Sequence, residues 1–285
     1  MLKTTKNIFL CTALLLMSTA ASALNNSLLK IEQRFNGRLG VAILDTKSKQ
    51  IWDYNGDAYF PMMSTFKTLA CAKMLSASSN GNLDATARSL IEAENLISWS
   101  PITEKRVGNS ITVNQACEAT MLTSDNTAAN IVLQHIGGPQ GLTDFLRKIG
   151  DNVSRLDRIE PELGEAKVGD LRDTTSPTAI VTTLYKLLLS DVLFDVDKNQ
   201  LIKWMQNNQV SDALLRSILP QGWFIADRSG AGSNGSRGIT AMLWHLERQP
   251  LIISIYVTET DLEMAALNAI IVEIGQLIFD EYAVK

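Results

Sequence analysis

Gly238-Ile239-Thr240-Ala241-Met242-Leu243-Trp244 and Leu251-Ile252-Ile253-Ser254-Ile255-Tyr256-Val257 stand near the end of the chain with a short break between them. Both runs are rich in β-branched and aromatic residues, which fit a pleated sheet, and they read as two strands. A comparable pair lies near the start. Gly40-Val41-Ala42-Ile43-Leu44-Asp45 and Gln50-Ile51-Trp52-Asp53-Tyr54 flank the polar Thr46-Lys47-Ser48-Lys49, which suits a hairpin turn. A fifth, shorter strand is expected from Trp223 to Ser229.

Between these ends the period changes. Phe66, Leu69, Ala70 and Met74 recur at helical spacing behind Pro61. Helical patterns follow at Val113 to Met121, Thr127 to Ile136, Leu142 to Ile149, Pro177 to Leu189 and Asn199 to Asn207. A last helix is expected from Asp261 to about Phe279. The pattern predicts an α/β (α+β) protein. One antiparallel five-stranded sheet is built from both chain ends and flanked by helices, and an all-helical lobe is inserted between the ends. The expected boundaries are 24–62 with 207–285 for the discontinuous α/β domain, and 63–206 for the helical one. Within the latter, 155–173 carries many charges and no sustained apolar period, which predicts a long surface loop. Such a loop in a compact domain is often functional.

The first residues read as an export signal. Lys3 and Lys6 precede the apolar run Ile8 to Met17, and Ala21-Ser22-Ala23 offers a small-x-small cleavage site, giving a signal peptide over 1–23. The run is shorter than the ~20 residues that span a bilayer. Cys11 follows Ile8-Phe9-Leu10, without the small residue expected before a lipidated cysteine. Secretion, in a Gram-negative cell to the periplasm, is therefore expected. The mature chain keeps Cys71 and Cys117, and an even count in an exported protein suggests one disulfide, with two buried free thiols as the alternative.

Hydrophobic residues make up 46% of the 285, enough for a sizeable core, and the net charge is −4 with no basic run, which argues against nucleic acid. The only histidines, His135 and His245, are far apart and in no ligand spacing, so no metal site is expected. No cofactor is implied. No oligomerisation signal stands out, and a monomer without membrane association after signal cleavage is the default expectation.

Three short strings carry chemistry. Ser64-Thr65-Phe66-Lys67 is S-x-x-K, Ser124-Asp125-Asn126 is S-D-N, and Arg228-Ser229-Gly230 is a variant of K-T-G. On a helix, Ser64 and Lys67 share a face, so an amine of lowered pKa could activate the hydroxyl. The backbone N–H groups of Ser64 and Ala231 are candidate oxyanion donors. Ser124 could relay a proton, Asn126 could bind a substrate amide, and Asp125 would brace its loop. The same S-D-N string could instead be a helix N-cap. Arg228 beside Ser229 could hold a carboxylate through paired hydrogen bonds, with Arg237 as a second cation. Gly230 would allow close approach of substrate backbone. Gly230-Ala231-Gly232-Ser233-Asn234-Gly235 also matches G-x-G-x-x-G, but a β-rich run follows where a dinucleotide site needs a helix.

With all three strings in order, the mature chain resembles the class A serine β-lactamases over essentially its whole length. The Arg-Ser-Gly string is similar to that of the carbenicillin-hydrolysing subgroup. Glu160-Pro161-Glu162-Leu163 resembles the family's E-x-x-L box on its Ω loop. The resemblance implies Arg158 and Asp173 as that loop's bracing ion pair, and Cys71–Cys117 as the disulfide of many Gram-negative members. It further implies that Ser64 attacks a β-lactam carbonyl, and that Lys67, or Glu160 through a water, takes the serine proton. Glu160 then activates the water that releases the acyl group. Trp99, with Ser98, is expected at the cleft mouth, where it could pack on substrate; core burial is the alternative. One position departs from the pattern: the box usually continues with asparagine, and here it is Gly164. The rival function is a penicillin-binding D,D-peptidase, which shares the three strings but deacylates slowly.

Overall fold

The computed structural model describes residues 23–282; the signal peptide expected over 1–23 lies outside them except for its last residue. A helix over 23–35, α1, opens the described chain and was not foreseen from sequence. Strands β1 (Arg38–Asp45) and β2 (Gln50–Tyr54) form the expected hairpin, and β3 (Phe60–Pro61) leads into helix α2 (Phe66–Ser79). Then come β4 (Arg88–Leu90), β5 (Ser110–Thr112), α3 (Val113–Thr123), α4 (Asn126–His135) and α5 (Gly138–Lys148). After the charged loop follow β6 (Thr174–Thr175), α6 (Pro177–Leu189) and α7 (Asp195–Gln206). The chain ends with β7 (Trp223–Gly232), β8 (Ser236–His245), β9 (Arg248–Thr258) and α8 (Met264–Tyr282).

The main sheet has five antiparallel strands in the order β2-β1-β9-β8-β7. Strands from the two chain ends meet where β1 pairs β9, with Ile43 opposite Ile253. Strand β7 runs three residues beyond the expected Ser229, to Gly232, because it stays in register with β8 down to the Gly232–Ser236 pair. The stretch 63–206 is not purely helical. Strand β4 pairs β5, and β6 pairs β3, in two small two-stranded sheets too short to show a period of two in sequence.

Both faces of the main sheet are covered, which explains why Leu251 to Val257 reads as a continuous apolar run rather than an alternating one. On one face, Val41, Ile43, Ile239, Ala241, Ile253 and Ile255 pack with α1 and α8 through residues such as Leu28, Ile31, Ile271 and Ile274. On the other, Ala42, Leu44, Met242 and Ile252 join a larger core with α2, α3, α4, α6 and α7.

Local signals set the helix starts. Thr112 and Gln115 form a reciprocal capping box at α3. Asp125 caps α4 by accepting from the Ala128 N–H, and Ser176 caps α6 with Pro177 in its first turn. Cys71 and Cys117 are joined, with their Cα atoms 5.6 Å apart, so the disulfide ties α2 to α3. In the chain-entropy picture a loop of this length contributes about 4 kcal/mol. The tie holds the helix that follows Ser64 against the helix that ends at Ser124.

Candidate active site

Ser64 sits in a single tight helical turn, Met63–Thr65, immediately before α2 rather than in it. Met63 adopts φ +48°, the left-handed region that costs a non-glycine residue roughly 1–3 kcal/mol and is common where a site is held strained. Thr65, one residue on, fixes the turn: its hydroxyl donates to the Met62 carbonyl (2.6 Å) and meets the Tyr256 hydroxyl on β9 (2.9 Å). Ser64 itself is half-buried.

Lys67, in the first turn of α2, is fully buried. Its ammonium donates to Asn126 Oδ1 (2.6 Å), the Ser124 carbonyl (2.9 Å) and Ser124 Oγ (3.1 Å), and lies 3.3 Å from Glu160 Oε1. Burial pulls its pKa from 10.5 down to about 8; Glu160 opposes that shift and the Arg228 charge adds to it. Ser64 reaches this cluster through Ser124, whose hydroxyl donates to Ser64 Oγ at 3.1 Å. The expected meeting of amine and hydroxyl is thus bridged by a second serine.

Ser124 ends α3 with φ +63°, so the chain turns sharply and aims the side chain at Ser64. The helix-cap reading of the S-D-N string holds, through its middle residue. Asp125 is buried and caps α4, and its carboxylate also accepts from the backbone of Ile102 and Thr103 and from the Thr103 hydroxyl. Asn126 accepts from Lys67 and donates to the Ser98 carbonyl (2.9 Å), which leaves one amide hydrogen for another partner. Trp99 is 61% exposed, with its indole N–H on the Thr123 carbonyl (2.9 Å), so core burial does not apply to it.

The charged loop brings Glu160 in from the opposite side. Glu160 is buried, and its backbone is clamped by Asn130 on α4: the Glu160 N–H donates to Asn130 Oδ1 (3.0 Å) and Asn130 Nδ2 donates to the Glu160 carbonyl (2.9 Å). The Glu160–Pro161 peptide is cis. At the neck of the loop, buried Asp173 accepts from Arg158 Nε (2.6 Å) and from the backbone of Asp157 and Arg158, and Arg158 Nη1 also reaches Glu165 (2.7 Å). Leu163 anchors the loop in the core. A Cβ at Gly164 would meet nothing within 4 Å.

On β7, Arg228 does not lie where a carboxylate could take both of its arms. It is fully buried, and its donors point at neutral acceptors: Nε at the Ser64 carbonyl (3.2 Å), Nη1 at the Met121 carbonyl and Asn208 Oδ1 (3.4 Å each). Burial lowers its pKa to about 10. Ser229 is also buried, with Oγ 3.4 Å from the Val210 carbonyl. Gly230 is needed for a closer reason than substrate approach: a Cβ there would come within 2.8 Å of both the Ser64 nitrogen and Met63 Cβ. Ala231 is exposed. Arg237, opposite it on β8, is buried and engaged by Asn268 Oδ1 (2.9 Å) and the Gly230 carbonyl (3.1 Å).

Sequence reading missed Asn130, Asn208 and the Thr65–Tyr256 pair. Asn130 stands one helical turn after Asn126 on α4, a spacing that puts it beside the site, but asparagines in helices are too common for that to single it out.

Comparison with known proteins identifies the family. Residues 20–282 match the model of the beta-lactamase enzyme family. The chain is 54% identical over 252 residues to Beta-lactamase CARB-3 of Pseudomonas aeruginosa and 53% identical to Beta-lactamase PSE-4 of the same organism, each alignment covering 88% of both chains. Among solved structures it resembles the chromosome-encoded beta-lactamase of Vibrio parahaemolyticus (TM-score 0.91, 53% identity, covering 92% of this chain and 100% of that one). It also resembles an ancestral class A beta-lactamase (TM-score 0.88, 44% identity, covering 91% and 100%).

Proposed function

This chain belongs to the class A β-lactamases, and we propose that it hydrolyses the lactam amide of penicillins, carbenicillin included, through an ester on Ser64. The observation that carries this is the unbroken path from Ser64 through Ser124 and Lys67 to Glu160. A peptidase of related chemistry has no need of a carboxylate held at the far end of that path. The relatives' names and the Arg228-Ser229-Gly230 string support the carbenicillin assignment. Nitrocefin separates the two: a hydrolase turns over many equivalents, and a slow-deacylating peptidase gives one stoichiometric burst.

The steps follow from the contacts. With a pKa of about 8, Lys67 is an ammonium near pH 7. Its three protons already serve Ser124, Asn126 and Glu160, so the carboxylate, through a water, takes the Ser64 proton. The Ser64 and Ala231 N–H groups receive the oxyanion. Ser124, hydrogen-bonded to both Ser64 and Lys67, passes its proton to the departing lactam nitrogen and is refilled from Lys67, which takes over the proton that Glu160 received and leaves the carboxylate ionised again. Glu160 then activates the water that cleaves the ester. Asn126 offers its free amide hydrogen to the substrate side chain, and Trp99 packs on it at the cleft mouth. Ser229, Arg228 and Arg237 supply the cationic end for the ring carboxylate, with Arg228 acting as a buried charge rather than a clasp. Asp125, Arg158 and Asp173 hold the two loops that carry Ser124 and Glu160. The division into a discontinuous 24–62/207–285 domain and an inserted 63–206 domain places these groups at the seam. The disulfide, the Gram-negative relatives and the leader-like first residues support export to the periplasm.

The kcat/KM for benzylpenicillin should fall as pH rises through about 8, because Lys67 then loses the proton that holds Ser124 and Glu160. A rise across the same range would make neutral Lys67 the base instead. The same buried charge costs the fold most below about pH 8, and that cost fades as pH climbs toward the ordinary lysine value of 10.5. At Gly164 there is room for a side chain, so Gly164→Asn should fold. Because Asn130 and Lys67 fix Glu160 without it, the deacylation rate should move by less than about threefold. A large acceleration in single-turnover measurements would mean that the native water is under-held.

A further inference from the structure

Behind Ser64 lies a buried cluster of polar and charged groups of which the steps above use only Arg228. Asp227 on β7 is completely buried, and its carboxylate is paired with Arg216 (Nε 2.7 Å, Nη2 2.5 Å) and accepts from the Ser211 hydroxyl. Next to it in sequence is Arg228, whose side chain leaves on the other side of the strand toward the Ser64 carbonyl. Between the two stands Asn208, in the segment that follows α7 and itself buried. Its amide nitrogen lies 2.8 Å from Ser211 Oγ, 3.2 Å from the Asp227 carbonyl and 3.3 Å from Asp227 Oδ2; its oxygen lies 3.1 Å from the Val210 N–H and 3.4 Å from Arg228 Nη1.

The consequence is an asymmetry of charge. The Asp227 carboxylate is spent on Arg216. Arg228, although fully buried, hydrogen-bonds only neutral oxygens, and its Nη2 has no hydrogen-bond partner among the described residues. A buried cation without a carboxylate is normally avoided, because desolvation costs more than neutral acceptors return. Asn208 occupies the position where an acidic side chain of the same size would complete the pair. Its neutrality therefore leaves the positive field behind Ser64 compensated only through space, by Asp227 and Glu160, rather than by a carboxylate in contact, in a low-dielectric setting where fields carry far. The field already acts within the site, since the Arg228 charge contributes to lowering the Lys67 pKa.

We propose that Asn208 is a positioning residue for substrate charge: its neutral amide separates Asp227 from Arg228 and reserves the Arg228 cation for the ring carboxylate of the β-lactam. This deepens the functional assignment above and rests on it. The effect requires no contact between Asn208 and substrate, and it acts on the ground-state affinity for an anion more than on the acyl-transfer step.

The experiment compares benzylpenicillin with its methyl ester, which keeps the lactam and lacks the anion. Apparent affinities are measured by competition against nitrocefin. In Asn208→Asp the affinity for the acid should fall about tenfold relative to that for the ester. Asn208→Ser, which loses hydrogen bonds but adds no charge, should weaken both ligands alike and leave their ratio unchanged. Should Asn208→Asp fail to fold, the exchange Asn208→Asp/Asp227→Asn keeps the number of buried carboxylates and moves one beside Arg228; the same tenfold change in ratio is expected. An unchanged ratio in the folded charge variant, or an equal change in Asn208→Ser, overturns the proposal. Failure of the unmodified enzyme to turn over benzylpenicillin would instead overturn the functional assignment, so the two failures are distinct.

Discussion

Mixed with benzylpenicillin, the Glu160→Gln enzyme is expected to acylate and then stall, with intact-protein mass spectrometry finding one persistent adduct on Ser64. The substitution is nearly isosteric, and the clamp on residue 160 is made by its backbone to Asn130, so the loop should stay in place. What is lost is the proton acceptor. A general base contributes about 10²–10⁴-fold, so ester hydrolysis should slow by roughly that factor. Acylation should slow too, since Glu160 also takes the Ser64 proton, but less, because with the carboxylate gone burial lowers the Lys67 pKa further and the neutral amine can stand in as the base for that step. A variant that returns as free enzyme after prolonged exposure would remove Glu160 from deacylation.

The second large effect is at Ser64. Ser64→Ala should leave no measurable turnover, a loss on the order of 10⁶-fold as for other nucleophile deletions in serine hydrolases. Penicillin should still bind, because the remaining polar groups of the site belong to other residues: Asn126, Ser124 and Ala231 keep their positions, and the backbone N–H of residue 64 survives the substitution. The variant should also fold, since among the described residues the Ser64 side chain makes one hydrogen bond, to Ser124, and is only half-buried. Equilibrium dialysis with labelled benzylpenicillin checks the binding, and nitrocefin checks the turnover. Residual hydrolysis near the unmodified rate would move the nucleophile elsewhere.

Much of this site could be read from the sequence because each string is local. S-x-x-K sets a hydroxyl and an amine three residues apart at the start of a helix, and S-D-N carries its own capping aspartate; both are local features. The five main strands and seven of the helices were legible for the same reason, as apolar periods within single segments. Other parts were hidden. Strands β3 to β6 are two or three residues long, below the length at which a period exists. Helix α1 lies just after an expected cleavage site, where attention falls on processing signals rather than on the stripe of Leu24, Leu28, Ile31 and Phe35. Asn130 acts only because a loop thirty residues later folds back onto it.

The strings by themselves determined which atoms could react: a hydroxyl, an amine, a second hydroxyl and a cation, each set by side-chain identity and short-range spacing. Only the packed chain decided how those atoms share protons and charge. It placed Ser124 between Ser64 and Lys67, brought Glu160 to the far side of the amine, and turned Arg228 inward against neutral oxygens. The reason is that burial and long-range contact set the strength of an electrostatic interaction, and both are properties of segments that meet in space, not of neighbours along a chain.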